Sequence, residues 1–245
     1  MKLISIIIPA YNHRDAILES LRTIASQHYP HIEVIIVDDG SDTPVVDDIE
    51  EISELFKKRD IEDKTKTRLT FLQQENSGAP SARNKGFGQA KGEYIIFWDA
   101  DVIAKRDMLK KMHNVLTLHA EVDYCYSSFT FGNKKMPGQK FDLARLKENN
   151  YIHSTSLIRK EAVVKWDESL KRFQDWDVWL AMLENGSKGI WIPEYLFKVL
   201  PRKSGISTWL PSLVYKKPFI WLPGISKKVL AYEDAKSIVK KKHKI

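Results

Sequence analysis

Residues 94–101 read Tyr-Ile-Ile-Phe-Trp-Asp-Ala-Asp, an apolar run that ends in two acids separated by one small residue. Five successive apolar or aromatic residues predict a strand buried on both faces, as in a parallel sheet covered by helices. Asp99 and Asp101 then stand at the carboxyl end of this strand, the edge at which ligands bind in open α/β sheets. Two carboxylates on a rigid strand can share one hard divalent cation through oxygen. In a chain with 32 acidic residues, a chance pairing of two acids is the alternative.

The segments before this strand alternate between strand and helix patterns. Leu3–Ile8, Ile32–Val37 and Leu69–Gln73 predict further strands. After the first two, apolar residues recur at the spacing of one helix face, at Ile17, Leu21 and Ile24, and again at Val45, Ile49, Ile52 and Phe56. This order predicts an α/β fold with a Rossmann-like, mostly parallel, right-handed doubly wound sheet flanked by helices.

Three later segments are less regular or differently patterned. Lys57–Arg68 is charged and aperiodic, which predicts a flexible loop. Gly132–Tyr151 predicts a loop with a short helix that could lie over a site. Trp176–Leu183 predicts a helix, on which we expect Trp176 and Trp179 to pack in the core rather than stack on a sugar.

The net charge of +7 lies at the carboxyl end of the chain. From residue 213 onward nine lysines face two acids, so the rest of the chain is formally neutral. We therefore divide the chain into a domain at 1–208 and a basic helical tail at 209–245. The tail either lies on an anionic membrane surface or packs on the domain through Trp209 and Trp221, its lysines facing water. Charge confined to a tail, with no recognised motif, argues against nucleic-acid binding.

The single cysteine, Cys125, lies in an apolar strand-like run, which predicts a buried, inert thiol in a reducing compartment. The apolar run at the start is too short for a signal peptide, and no stretch approaches the roughly 18 apolar residues of a spanning helix. We therefore expect a cytoplasmic protein, peripheral on the cytoplasmic face of the membrane if the tail binds lipid.

Polar and acidic residues follow three of the predicted strands, at Pro9–Asn12, Asp38–Ser41 and Asp99–Asp101. Since the carboxyl ends of parallel strands share one edge, these residues converge on one site. A turn with helix-capping acids is the alternative for Asp38 and Asp39. Over roughly 3–207, these motifs in this order resemble the family 2 glycosyltransferases, nucleotide-sugar-dependent enzymes of the GT-A fold.

The resemblance implies a donor site. It assigns Pro9, Ala10, Tyr11 and Asn12 to the nucleotide loop, and Asp39 to the uracil or equivalent base. The helix within 76–86 supplies Arg83 to the nucleotide; an exposed arginine paired with Glu75 or Glu93 is the alternative. In the metal motif, Asp101 binds Mn²⁺ or Mg²⁺ on the donor diphosphate and Asp99 reaches the ribose or the metal. Arg202 and Ser207 resemble residues that close over the diphosphate.

On the acceptor side, residues 173–179 (Phe-Gln-Asp-Trp-Asp-Val-Trp) resemble the motif whose aspartate is the catalytic base, here Asp175. We expect Asp177 to set local structure, and His153 to be an ordinary hydrogen-bonded histidine. Two positions depart from the family pattern. Val102 stands where a third acid is frequent, and Gln174 stands where glutamate is frequent, which removes a charge that would raise the pKa of the base or bind the acceptor.

The expected function is inverting, metal-dependent transfer of a hexose or N-acetylhexosamine from a nucleotide-sugar donor, with UDP favoured, to a hydroxyl of a saccharide or lipid-linked acceptor. Such a reaction belongs to cell-surface polysaccharide or glycolipid synthesis. The alternative is a non-catalytic nucleotide-sugar or carbohydrate-binding relative, which Val102 and Gln174 suggest. A dinucleotide-dependent dehydrogenase fits the alternating pattern, but the first strand lacks the glycine fingerprint.

Overall fold

The computed structural model of the chain describes residues 1–201 and 225–245. Its helices are α1 (Arg14–Ala25), α2 (Ile49–Asp63), α3 (Ala79–Phe87), α4 (Met108–Leu118), α5 (Leu143–Glu148), α6 (Gln174–Glu184) and α7 (Ile225–Lys242). Its strands are β1 (Ile4–Ala10), β2 (Ile32–Asp38), β3 (Arg68–Gln73), β4 (Tyr94–Phe97), β5 (Val102–Ala104), β6 (Tyr124–Phe131), β7 (Lys134–Met136), β8 (Leu157–Arg159) and β9 (Gly189–Val199). Arg202, Ser207, Trp209, Trp221 and the predicted boundary at 208/209 lie outside the described residues.

The strands form one sheet in the order β3-β2-β1-β4-β8-β6-β9-β5, with β7 paired to β6. The first four strands are parallel, as predicted. Ala10 pairs with Asp38, and Ile7 pairs with Phe97. Because of this register, the turns after β1, β2 and β4 open at the same edge of the sheet.

The second half of the sheet is mixed. β8 is antiparallel to both β4 and β6, β9 is parallel to β6, and β5 is antiparallel to β9. Sequence patterns did not predict β5 or β9. β5 has three residues, and β9 contains Pro193 and alternates buried with half-buried or exposed positions, so neither gives a continuous apolar run. Most paired residues are still in parallel ladders, and helices cover both faces.

Each face of the sheet has its own core. Ile4, Ile6 and Ile8 of β1 face α1, α2 and α4, whereas Ile7 between them faces α3 and α6. Trp176 and Trp179 are core residues, as expected. Their indole N–H groups donate to the carbonyls of Leu146 (2.6 Å) and Ile152 (2.9 Å). Cys125 is fully buried, and burial raises the pKa of its thiol.

The predicted loop at 57–68 is wrong, because α2 continues to Asp63 and β3 begins at Arg68. The side chain of Arg59 is buried and donates to the carbonyl of Tyr29 at 2.6 Å and to the hydroxyls of Thr65 and Thr67 at 3.0 and 2.7 Å. The Asp60 carboxylate accepts from both of these threonine hydroxyls. The hydrogen bonds of the buried Arg59 side chain, to Tyr29 and to the two threonines, order this segment without apolar periodicity.

Two further expectations need amendment. Ile49, expected on the inner face of α2, is exposed. The segment 132–151 contains the expected short helix, α5, but also β7, which forms a hairpin with β6.

The basic tail is helical over Ile225–Lys242 and packs on the domain. Val239 is fully buried in the core that contains α6, and the ring of Tyr232 lies 5.0 Å from that of Phe173. In the described ranges, no helix is both long enough and apolar enough to cross a membrane.

Candidate active site

Asp39 connects several segments of the chain at the edge of the sheet. Its main-chain N–H donates to the carbonyl of Ala10, at the end of β1 (2.8 Å). Its carboxylate accepts from the side chain of Gln74 and from the main-chain N–H groups of Ser77 and Gly78, each at 2.8 Å. A carboxylate accepts about four hydrogen bonds. Asp39 therefore holds the loop before α3 against the ends of β1 and β2 and keeps one acceptor position.

The turns after β1 and β2 are joined by Asn12, which has a positive φ of 51°. Its side-chain amide accepts from the N–H of Asp42 (2.8 Å) and donates to the carboxylate of Asp42 (3.0 Å). Tyr11 beside it is 44% exposed, whereas Ala10 is buried. Pro9, Ala10, Tyr11 and Asn12 thus line the edge next to Asp39.

Asp38 stabilises a turn, which was the alternative to nucleotide binding that we considered for it. Its two carboxylate oxygens accept from the N–H groups of Ser41 (2.8 Å) and Val45 (2.7 Å). It therefore stabilises the turn after β2.

Arg83 is buried, so the alternative of an exposed arginine paired with Glu75 or Glu93 is wrong. Its Nη2 donates to Asp99 Oδ1 at 2.7 Å, and its guanidinium lies 4.3 Å from the ring centroid of Trp166. Its Nε is buried and has no hydrogen-bond partner among residues 1–201 and 225–245. α3 thus places the guanidinium of Arg83 directly beside Asp99, the acid after β4.

Asp99 also accepts from the hydroxyl of Ser154 at 2.9 Å, through Oδ2. His153 Nε2 lies 3.9 Å from the same oxygen. Burial raises the pKa of Asp99, but the charge of Arg83, His153 and the two hydrogen bonds outweigh it and lower the pKa to about 2. His153 Nδ1 accepts from the N–H of Thr155 at 3.0 Å, and Nε2 is the ring nitrogen that faces Asp99. His153 is hydrogen-bonded as expected and also faces the site.

Asp101 is buried, and its main-chain carbonyl accepts from the N–H of Leu200 at 2.9 Å. The chain turns between Asp99 and Val102, whose N–H donates to the Asp99 carbonyl at 3.0 Å. Val102 then enters β5, and its side chain is fully buried in the core. An acid at this position would lie in an apolar environment, which accounts for the departure from the family pattern.

Asp175 lies in the first turn of α6, after Phe173, which has a positive φ of 56°. Its carboxylate accepts from the side chain of Asn150 (2.7 Å) and from the N–H of Trp176 (2.9 Å). Burial raises the pKa of Asp175 above its ordinary value; His153, the Trp176 N–H and Arg83 oppose this, and Asp99 reinforces it. The side chain of the neighbouring Gln174 accepts from Arg83 Nη1 at 3.4 Å. This hydrogen bond links α6 to α3, at the edge of the sheet that carries Asp39 and Asp99.

Three residues of this site were not predicted from sequence patterns: Asn150, Ser154 and Trp166. Asn150 is the second-last residue of the segment 132–151 that we expected to lie over a site, and this placement was the one available signal. Ser154 and Trp166 have no local pattern that distinguishes them from ordinary polar and core residues. No group of three or more His, Cys, Asp or Glu side chains suited to a metal occurs within 1–201 and 225–245.

The geometry can be compared with known proteins. A family model described as Glycosyl transferase family 2 matches residues 5–167, two thirds of the chain. The chain belongs to glycosyl transferase family 2. It is therefore an enzyme of the glycosyltransferase class, as the sequence motifs indicated. The matched residues include Asp39, Arg83, Asp99 and Asp101 but end before Asp175.

Two relatives illustrate the similarity within family 2. An uncharacterized glycosyltransferase, MJ1057 of Methanocaldococcus jannaschii, is 29% identical over 211 residues, which cover 80% of this chain and 70% of the relative. The putative teichuronic acid biosynthesis glycosyltransferase TuaG of Bacillus subtilis is 39% identical over 109 residues, 44% of this chain and 40% of TuaG. The similarity to TuaG is therefore limited to part of each protein.

Solved structures confirm the GT-A fold. TarS residues 1–349 of S. aureus, in complex with UDP, superpose with a TM-score of 0.66 at 23% identity, covering 82% of this chain and 61% of TarS. The mannosyltransferase PcManGT of Pyrobaculum calidifontis, in complex with GDP-Man and Mn²⁺, gives a TM-score of 0.62 at 19% identity. The superposition covers 84% of this chain and 58% of PcManGT. The family 2 chain thus spans about three fifths of each solved chain.

Proposed function

We propose that this glycosyltransferase moves a sugar from a nucleoside diphosphate sugar to an acceptor hydroxyl, with inversion and with Asp175 as the general base. One contact carries the proposal, the hydrogen bond from Arg83 to Gln174 at 3.4 Å. It joins the acceptor-side helix α6 to the arginine that pairs with Asp99. Residues from distant parts of the chain thereby form one site.

The donor would bind at the edge formed by the turns after β1, β2 and β4. Asp39 retains an acceptor position for a base N–H, and Pro9, Ala10, Tyr11 and Asn12 line the same edge. Arg83, whose Nε has no partner in the part of the chain that the structure describes, can stabilise the negative charge that develops on the leaving diphosphate. Arg202 would close over the diphosphate. UDP is the favoured nucleotide because TarS, of the same fold, was solved with UDP.

The donor set suits a hard divalent cation such as Mn²⁺ or Mg²⁺, because it consists of carboxylate oxygens. By the family resemblance, Asp101 is the candidate ligand, and Asp99 reaches the ribose or the metal. Both oxygens of Asp99 already accept hydrogen bonds, from Arg83 and Ser154. When bound, the cation would neutralise charge on the leaving diphosphate.

On the acceptor side, the acceptor oxygen forms a bond to the anomeric carbon while the bond to the diphosphate oxygen breaks. The hydroxyl proton passes to the carboxylate of Asp175. Burial raises the pKa of this carboxylate and so makes it a stronger base than an exposed aspartate. Asn150 orients it through the 2.7 Å hydrogen bond. Attack on the face opposite the leaving group inverts the anomeric configuration.

The test compares wild type with Asp175→Asn, using UDP-GlcNAc and GDP-mannose as donors and a panel of saccharide acceptors. We expect release of nucleoside diphosphate to fall by roughly 10² to 10⁴ in Asp175→Asn, while the shift in melting temperature caused by UDP is retained. Glu54→Gln on the distant, exposed surface of α2 is the matched control. Unchanged turnover in Asp175→Asn would overturn the base assignment.

Two further experiments test whether a metal is required and whether the protein is a non-catalytic binding protein. Chelation, and separately Asp101→Asn, should abolish turnover and the metal-dependent part of nucleotide binding. A wild type that binds nucleotide in every metal condition but turns over no donor would favour the non-catalytic binding protein.

We also propose a cytoplasmic role in cell-surface polysaccharide or glycolipid synthesis, with the outer face of α7 on an anionic membrane. The similarity to TuaG supports the pathway class. Leu230 and Ile238 of α7 are exposed, near a carboxyl end rich in lysine. We expect co-sedimentation with phosphatidylglycerol vesicles at low salt, weakened in Leu230→Ser/Ile238→Ser. Equal recovery with neutral phosphatidylcholine vesicles would contradict an electrostatic membrane contact.

A further inference from the structure

The last residues of the chain enclose a buried carboxylate on α6. Asp177 has a side chain that is only 2% exposed, two residues after Asp175. Lys242 Nζ lies 2.7 and 2.9 Å from its two oxygens, and His243 Nε2 lies 2.8 Å from Oδ1. These two partners come from the carboxyl end of α7 and the residue after it. Such a carboxylate is costly to bury unless it is paired.

His243 also reaches the far end of α6. Its Nδ1 lies 2.8 Å from the carboxylate of Glu184, and its side chain is only 3% exposed. Both ring nitrogens of His243 therefore lie within hydrogen-bond distance of a carboxylate oxygen. His243 thus spans α6 from its first turn to its last residue.

Other side chains of α7 contact the segments that surround Asp175. Lys236 Nζ donates to the side chain of Asn149 at 2.7 Å, next to the Asn150 that holds Asp175. Tyr232 packs against Phe173, the residue with positive φ that begins α6.

Lys242 extends the same connection to the donor side. Its Nζ donates to Asp167 at 2.6 Å, and Asp167 follows Trp166, whose ring lies against Arg83. This hydrogen bond is the main cause that lowers the pKa of Asp167 to about 2, so the pair is ionised at neutral pH. One lysine thereby links the segment before α6 to α6 itself.

From these contacts we propose that Lys236, Lys242 and His243 of the carboxyl-terminal segment are positioning residues, which hold α6 and Asn150 so that Asp175 faces the acceptor. The proposal rests on the proposed function of Asp175 as base. These residues act through Asp177, Asn149 and Asp167. Lys236, Lys242 and His243 therefore support the acceptor side of the site, and the outer face of α7 is left for other contacts.

The test uses the full chain and the variants Lys242→Met, His243→Gln and Lys236→Met. Lys242→Arg keeps the charge, and Lys241→Met removes an exposed lysine of the same turn. We expect kcat to fall at least about tenfold in the first three variants, because small misplacements of reacting groups are costly. The KM for donor should stay within about twofold, and Lys242→Arg and Lys241→Met should resemble wild type.

Hydrogen–deuterium exchange supplies a readout besides activity. Amides of 173–180 and 149–151 should exchange faster in Lys242→Met and His243→Gln, while those of β1 and β2 stay unchanged. Lys236→Met, which leaves both partners of Asp177 in place, serves if the other two variants do not fold. Unchanged kcat and unchanged exchange in these segments would overturn the positioning role. Asp175→Asn is measured in parallel, since normal turnover in that variant refutes the base assignment whatever the exchange shows.

Discussion

Arg83 on α3 donates to Asp99, the first residue of the acidic motif after β4, over 2.7 Å. Both side chains were assigned to the donor from the sequence, yet in the structure each is also the other's counter-charge. Trp166 covers the guanidinium, and Ser154 occupies the second oxygen of Asp99. The Arg83–Asp99 pair thus contributes both to the stability of the sheet edge and to the charge distribution of the site.

Removing this cation should destabilise the fold. Arg83→Met leaves the carboxylate of Asp99, a side chain that is 22% exposed, without its cationic partner; this change costs about 3–5 kcal/mol at a fully buried pair and should cost less here. Urea denaturation measures the free energy of unfolding. Arg22→Met is the control, because Arg22 forms an ion pair with Glu51 at the exposed surface and such pairs contribute only about 0–1 kcal/mol. Equal losses in the two variants would contradict a buried, coupled pair.

The lowered pKa of Asp99 predicts a loss of stability in acid. Its folded pKa of about 2 lies below the ordinary 3.8, so its contribution is fully present above the ordinary value and is lost as the pH falls toward 2. Ser154→Ala removes one donor to the charged form, raises the pKa of Asp99 and shifts the loss to higher pH. Denaturation between pH 7 and pH 2 measures this. Ser53→Ala, at an exposed position of α2, should leave the profile unchanged.

The pH dependence of turnover should depend on Asn150. Its amide donates to Asp175 and favours the charged carboxylate, so Asn150→Ala raises the pKa of Asp175 further. A base must be deprotonated to act, and the acid limb of kcat/KM against pH should therefore move to higher pH. Gln89→Ala, which truncates an exposed amide on the other side of α3, is the control. An acid limb that does not move would show that Asn150 does not affect the pKa of the catalytic base.

Gly86 sets how closely α3 approaches the sheet. A Cβ at this position would lie 2.5 Å from Ile7 Cγ2 and 3.2 Å from Val37 Cγ2. Gly86→Ala should therefore push α3 away from β1 and β2 and cost about 1–3 kcal/mol. Gly88→Ala, where the nearest atom is at 3.4 Å, is the matched control in the same stretch. Thermal and urea denaturation compare the two, and equal stability of both variants would show that α3 can shift without cost.

Local patterns predicted the parallel half of the fold well. β1, β2 and β4 are long enough and apolar enough to be recognised without partners, and burial on both faces explains their composition. β5 has no such pattern, because it is a three-residue strand whose partner, β9, lies almost a hundred residues later. The error at 57–68 has a related cause, since the buried Arg59 is stabilised by hydrogen bonds and not by apolar periodicity.

The sequence by itself determined the alternation of strands and helices in the parallel half of the sheet, the acids at the strand ends and the family to which the chain belongs. These features depend on neighbours a few residues apart, where side-chain periodicity directly reflects burial. Only the tertiary structure decided that Arg83 pairs with Asp99, that Asn150 holds Asp175, and that Lys242 and His243 enclose Asp177. The last of these contacts joins residues more than sixty positions apart. Which charge finds which partner over such a separation is set by packing of the whole chain.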